Sequence, residues 1–203
     1  MTLLKKAFCL LMALIFTFCI QSKDIILEFK GAYYLPTNGE FKNIYHNGSA
    51  LYGPEVTIQL CSDRPWYGFA SVDYFKKKGN SIGLCSPTHI KLIPVTIGLK
   101  YLVPVFRDHI SFYTGLGLVA ENARIKNCSA FVPLHQSQWG IGGIAKVGAY
   151  GYLPHNFVID MFIDYNFVKI GNSSCVVCTQ PYLESMKANV SGAVFGVGLG
   201  YRF

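Results

Sequence analysis

Residues 191–203 read SGAVFGVGLGYRF, and the alternation in that stretch decides the fold. Ala193, Phe195, Val197, Leu199, Tyr201 and Phe203 share one parity; Gly192, Val194, Gly196, Gly198, Gly200 and Arg202 share the other. A period of two puts the sets on opposite faces of a β-strand. The apolar set runs on to a terminal aromatic, where the ends of soluble chains are usually polar and frayed. A greasy outer face over an inner face of small residues suits the closing strand of a transmembrane barrel.

Working outward, seven more segments alternate in the same way. The expected fold is all-β, an eight-stranded antiparallel up-and-down transmembrane β-barrel with strands near 24–36, 49–62, 66–77, 89–103, 109–123, 140–153, 157–169 and 191–203. The connections alternate in length. Asp63-Arg64-Pro65, Pro104 to Asp108 and Pro154-His155-Asn156 carry the residues of tight turns, whereas 37–48, 78–88, 124–139 and 170–190 are long. An even strand count with short turns at one end and long loops at the other is an outer-membrane layout. A soluble ligand-binding barrel would put its apolar residues inside. Here Phe157, Ile159, Met161, Ile163, Tyr165 and Phe167 oppose Val158, Asp160, Phe162, Asp164 and Asn166, so charge stays off the apolar face.

The polar parity collects Glu28, Lys30, Glu55, Asp73, Lys100, Glu121, Lys146, Asp160, Asp164 and Arg202, six acids and four bases directed at one lumen. Eight strands enclose just enough room for side chains to fill. Isolated charges there are costly, so these ten are expected to pair as a salt-bridged plug. The competing expectation is a narrow path for ions or small solutes.

The chain opens with Lys5 and Lys6 followed by the apolar run from Ala7 to Ile20, the pattern of a secretory signal. Residues 1–22 are the expected signal peptide and 23–203 the barrel domain. A fourteen-residue run, interrupted only by Thr17, is short for a membrane-spanning helix of roughly 20. Hydrophobic content of 51% against 14% charged is greasy for an exported soluble domain. The 18 Lys and Arg, less Lys5 and Lys6, leave 16 bases against 11 acids. That surplus is diffuse and exported, which argues against nucleic acid and for anionic lipid headgroups.

Signal, eight alternating strands, long loops and the terminal Gly-Leu-Gly-Tyr-Arg-Phe together resemble the small bacterial outer-membrane β-barrel proteins of the OmpA/OmpW-like type. The resemblance spans the mature chain. It implies an outer-membrane location in a Gram-negative-type bacterium, periplasmic termini and extracellular loops. It also implies that Phe195, Tyr201 and Phe203 form the signal read by the barrel-assembly machinery. Members serve as stabilisers, adhesins, narrow channels or occasional lipid-modifying enzymes, so the likeness does not choose a role. The expectation is a structural, surface-exposed envelope protein whose loops contact an envelope or host partner; the alternative is a narrow channel.

Cys9 and Cys19 fall in the signal, leaving Cys61, Cys85, Cys128, Cys175 and Cys178. Cys85, Cys128, Cys175 and Cys178 lie in long loops facing an oxidising exterior, where they are candidate disulfide partners of undetermined connectivity. Such usage resembles chlamydial-type envelopes. Lys76, Lys78, Lys91, Arg124 and Lys169 share the outward parity near the loop end, where lipopolysaccharide phosphates are the expected contact. No enzymatic activity, cofactor or metal is expected. The best local cluster, His89 with Ser86 and Thr88, has no evident carboxylate beside it. The loops near 37–48 and 170–190 offer Phe41, Ile44, Tyr45, Val176, Val177 and Tyr182 for contacts.

Overall fold

A computed structural model describes residues 24–37, 39, 48–60, 64–80, 87–106, 109–127, 135–170 and 188–203. Ten strands run through them: β1 (Ile25–Pro36), β2 (Ser49–Gln59), β3 (Trp66–Val72), β4 (Tyr74–Asn80), β5 (Pro87–Phe106), β6 (Ile110–Asn127), β7 (His135–Tyr152), β8 (Phe157–Ile170), β9 (Ala188–Asn189) and β10 (Gly192–Arg202). β3 and β4 make one stave interrupted at Asp73, since both pair with β2 on one side and β5 on the other. The two-residue β9 pairs with β8 and leads into β10. The result is eight staves, all joined antiparallel. β1 pairs with both β2 and β10, so the sheet closes on itself and leaves no edge. Phe203 N–H donates to the Ile25 carbonyl at 2.8 Å, fastening the last residue to the start of β1.

The faces follow the alternation. β8 alternates exposed and buried residues along its length, with Met161 and Ile163 outward and Asp160 and Phe162 inward. The outer wall is an apolar belt in which Leu116 is 72% and Ile141 77% exposed, while Lys100 and Asp160 inside are 0% exposed. This is the reverse of a water-soluble barrel, and its logic is that of hydrocarbon outside. Aromatic side chains rim the belt. At the end where β1 starts and β10 finishes, Trp66 stacks edge-on with Tyr101 at 5.1 Å, and Tyr201 lies between Phe157 at 5.7 Å and Phe203 at 4.9 Å.

Several strands are longer than their apolar alternation. β4 continues to Asn80 and β5 starts at Pro87, within the stretch 78–88 expected as loop; β6 reaches Asn127 and β7 starts at His135, within 124–139. Backbone pairing does not require apolar side chains, so the ladder runs on beyond the belt where the hydrophobic pattern has ended. β5 likewise runs to Phe106, into the expected turn 104–108. The stave at 66–77 is not continuous: Asp73 breaks it, and its N–H bonds to the Pro94 carbonyl instead. Between β7 and β8 Leu153 N–H donates to the Phe157 carbonyl at 2.8 Å, and within the three-residue turn Pro154–Asn156 that this closes, His155 and Asn156 both take the left-handed conformation at φ of 63°.

The barrel is narrow, so inward positions must alternate large and small. Gly198 of β10 is the clearest case: an added Cβ would meet Glu28, Asp160 and Lys30 side-chain atoms at 3.0–3.3 Å. At Gly196 a Cβ would sit 2.3 Å from the Gly31 carbonyl oxygen and 2.6 Å from Ala32 Cα, in the backbone of the closing seam. Gly196→Val is therefore expected to destabilise the barrel by about 3 kcal/mol. Gly31→Ala, whose Cβ has nothing within 4 Å, is expected to be close to neutral. Heat-modifiable migration on gels, compared for the two variants, measures the difference; equal midpoints would contradict the seam contact.

Candidate functional site: the charge network in the lumen

The strands aim their inward side chains at a common centre, and Glu55 of β2 stands at its hub. It accepts from Lys100 Nζ, takes Lys146 Nζ at 2.9 Å and lies 3.0 Å from Lys30 Nζ. Lys30 also faces Asp160 at 3.1 Å and Glu28 at 3.5 Å. Lys146 donates to Asp164 at 2.8 Å, completing a chain of seven ionisable groups drawn from β1, β2, β5, β7 and β8. All seven are buried.

Neutral groups join these charges. Lys100 donates to Tyr150 Oη at 2.6 Å and to Thr57 Oγ1 at 3.2 Å, and Tyr150 in turn donates to Glu28 at 3.0 Å. Tyr113 gives its hydroxyl to Asp160 at 3.0 Å. The ammonium groups also lie over aromatic rings: Lys30 over Phe162 at 4.5 Å, Lys100 over Tyr113 at 4.5 Å and Lys146 over Phe69 at 5.0 Å. A buried ammonium loses water on all sides, and ring faces replace part of that solvation. Tyr113, Tyr150, Thr57, Phe69 and Phe162 are missed by a tally of charges. Their inward parity is the signal that would have found them.

The remaining three of the ten lumen candidates do not join the network. Arg202 pairs instead with Asp24 at 2.6 Å, beside the terminal edge, and its guanidinium lies 4.9 Å over the Tyr152 ring. Asp24, just ahead of β1, also accepts from Tyr67 at 3.1 Å. Asp73 takes a hydrogen bond from Ser71 at 3.3 Å, and no ion pair among the described residues includes it. Glu121 is buried with Oε1 unpartnered. Towards the loop end the lumen turns apolar, with Tyr34, Phe75, Ile90, Leu92, Val119, Val168 and Ile170 in one cluster. Between the charged and apolar zones lies a cavity of ≈ 20 Å³ bordered by Lys30, Asp73, Lys146, Asp164 and Asn166 among others.

The other candidates divide by position. Lys76, Lys78, Lys91, Arg124 and Lys169 are all exposed on the outer wall. Phe195, Tyr201 and Phe203 point outward on the closing strand. Cys61, Cys85, Cys128, Cys175 and Cys178, Ser86 and the loop residues Phe41, Ile44, Tyr45, Val176, Val177 and Tyr182 lie outside the described residues.

No protein-family model matches the sequence, and no curated protein matches it. Solved structures do. The outer membrane protein OprG from Pseudomonas aeruginosa is similar at 17% identity over 90% of this chain and 96% of that one, with a TM-score of 0.62. The E. coli outer membrane protein W follows at 14% identity, covering 90% and 98%, with 0.59. Ail, the attachment invasion locus protein of Yersinia pestis, solved with the heparin analogue sucrose octasulfate, matches at 16% identity over 89% and 98%, with 0.52. Identity this low speaks for architecture alone. The chain has the eight-stranded fold of the small outer-membrane β-barrel proteins that its sequence resembles.

Proposed function

We propose that this chain is an integral outer-membrane β-barrel with a closed lumen, acting as a structural, surface-exposed envelope protein that makes its contacts through the loops at the end opposite the chain termini. The observation that carries this reading is the burial of the charged and aromatic side chains that the strands turn inward. Seven ion-paired groups, their tyrosine bridges and the apolar cluster beyond them border a cavity of ≈ 20 Å³ at their junction. That volume holds about one water. The apolar belt supports membrane integration, and the similar solved structures are outer-membrane proteins. The signal-like residues 1–22 support export, with termini in the periplasm and loops outside. The exposure of Phe195, Tyr201 and Phe203 on the outer face of the last strand supports their reading as the signal for the barrel-assembly machinery. Ail, held with a heparin analogue, is a barrel of this fold in contact with a sulfated sugar, and a surface contact is the role proposed here for the loops.

The decisive experiment is conductance of the refolded chain in a planar bilayer. The expected result is a silent membrane with a band that still shifts on heating, as a folded barrel does. Steady conductance steps that change when Lys100, Asp160 or Asp164 is neutralised would overturn the closed lumen and leave the narrow-channel reading in its place.

A further inference from the structure

The register brings together three cations that the sequence scatters. Lys76 on β4 pairs with Lys91 on β5, and Lys91 pairs with Arg124 on β6. All three are exposed on the outer wall. With neighbouring strands about 4.8 Å apart, their Cα atoms span roughly 10 Å. Like charges directly opposite on adjacent strands destabilise a sheet unless something lies between them. No acid among the described residues does so. Asp24, Glu28, Glu55, Asp73, Glu121, Asp160 and Asp164 are the described acids, and none of them is exposed.

Two further features give the row the character of a site. Arg124 is braced: its Nε donates to Asn122 Oδ1 at 3.0 Å, and Asn122 Nδ2 donates to Ser137 Oγ on the next strand at 3.4 Å. No other hydrogen bond or ion pair of the guanidinium is seen among the described residues, so its remaining donors can meet a ligand with part of their ordering already accomplished. The row also sits one or two pleats beyond the apolar belt. Below Lys91 come Ile93, Val95 and Ile97, and below Arg124 come Ala120, Leu118 and Leu116, most of them well exposed. A ligand there would meet cations at its head and an apolar wall along its tail. Lys169 does not belong to the row; it pairs near Ile141 on the far side of β7, whereas Arg124 pairs with Ser137. Lys78 stands one pleat further out, opposite His89.

We propose that Lys76, Lys91 and Arg124 form a clamp for the phosphates of a membrane lipid whose headgroup carries two of them, as lipid A does, with its acyl chains on the wall formed by β3, β5 and β6. The clamp rests on the proposed membrane location and deepens it by naming one lipid-binding side of the barrel. Arg124 supplies the fixed, forked donor, and the two lysines supply mobile point charges.

The test uses the full mature barrel refolded in detergent and titrated with diphosphoryl lipid A, read by calorimetry. Lys76→Gln, Lys91→Gln and Arg124→Gln are each expected to weaken binding about five-fold, and the triple variant on the order of a hundred-fold. Lys169→Gln, outside the row, is expected to change it less than about two-fold. Lipid A stripped of both phosphates should bind no better to the wild type than to the triple variant. Equal affinity of wild type and triple variant for diphosphoryl lipid A would overturn the clamp. Inorganic pyrophosphate binding as tightly as the lipid would overturn the lipid as its occupant. Refolding of every variant into phosphatidylcholine vesicles, followed by the heat-shifted band, keeps the two proposals apart. A barrel that inserts normally but ignores lipid A loses the clamp alone, and one that fails to insert loses the membrane reading.

Discussion

Glu55→Gln is expected to lower the unfolding free energy of the barrel by about 3–5 kcal/mol. The carboxylate is the common partner of Lys30, Lys100 and Lys146, all three of them buried. Glutamine keeps the shape and one acceptor but removes the charge, so three ammonium groups must share Glu28, Asp160 and Asp164. Lys100 suffers most, because its remaining carboxylate, Glu28, lies 3.8 Å away. An unpaired buried charge costs more than the pair itself contributes. The double variant Glu55→Gln, Lys100→Met should therefore recover part of the loss, since it removes the stranded cation along with its partner. Urea unfolding in detergent, followed through Trp66 and Trp139, gives the four corners of the cycle. A loss below about 1 kcal/mol would mean that water reaches the hub and that the lumen is not closed.

Leu116→Arg is the second large effect, about 2–4 kcal/mol when the barrel sits in phospholipid vesicles. Leu116 lies midway along the outward face of β6, between Phe112 and Ala120, and is 72% exposed. In water an exposed leucine replaced by arginine changes little. In hydrocarbon a charged side chain at mid-depth must be desolvated or must drag water and headgroups towards it. Phe106→Arg, on the same wall but at the end of β5, provides the depth control and should cost no more than about 1 kcal/mol. Equal effects at the two positions would remove the bilayer from the account of the outer wall.

Both predictions depend on knowing which residues face in, and that much was legible from parity. In β8 every second residue from Phe157 to Phe167 is apolar, while Asp160 and Asp164 fall between, and the outward parity turns charged only at Lys169 near the strand's end; only one assignment keeps charge out of the middle of the lipid face. The Gly-rich parity of β10 likewise announced a crowded lumen, since Gly198 leaves the space that Glu28, Lys30 and Asp160 occupy. Strand ends were less legible. Lys76 to Asn80 and Arg124 to Asn127 carry no alternating hydrophobic signal because they lie past the belt, yet their backbones remain paired.

The sequence by itself determined the architecture and the inside–outside sense of each stave, because a bilayer imposes one solvent rule on every outward position and leaves a period of two in the chain. The tertiary structure alone decided the partners. Glu55 as the hub, Tyr150 between Lys100 and Glu28, Arg202 turned towards Asp24 and Lys91 set between Lys76 and Arg124 are all contacts between distant segments. They follow from strand register and from which staves face each other across the ring, quantities that the closure of the whole barrel sets and that no local stretch of sequence encodes.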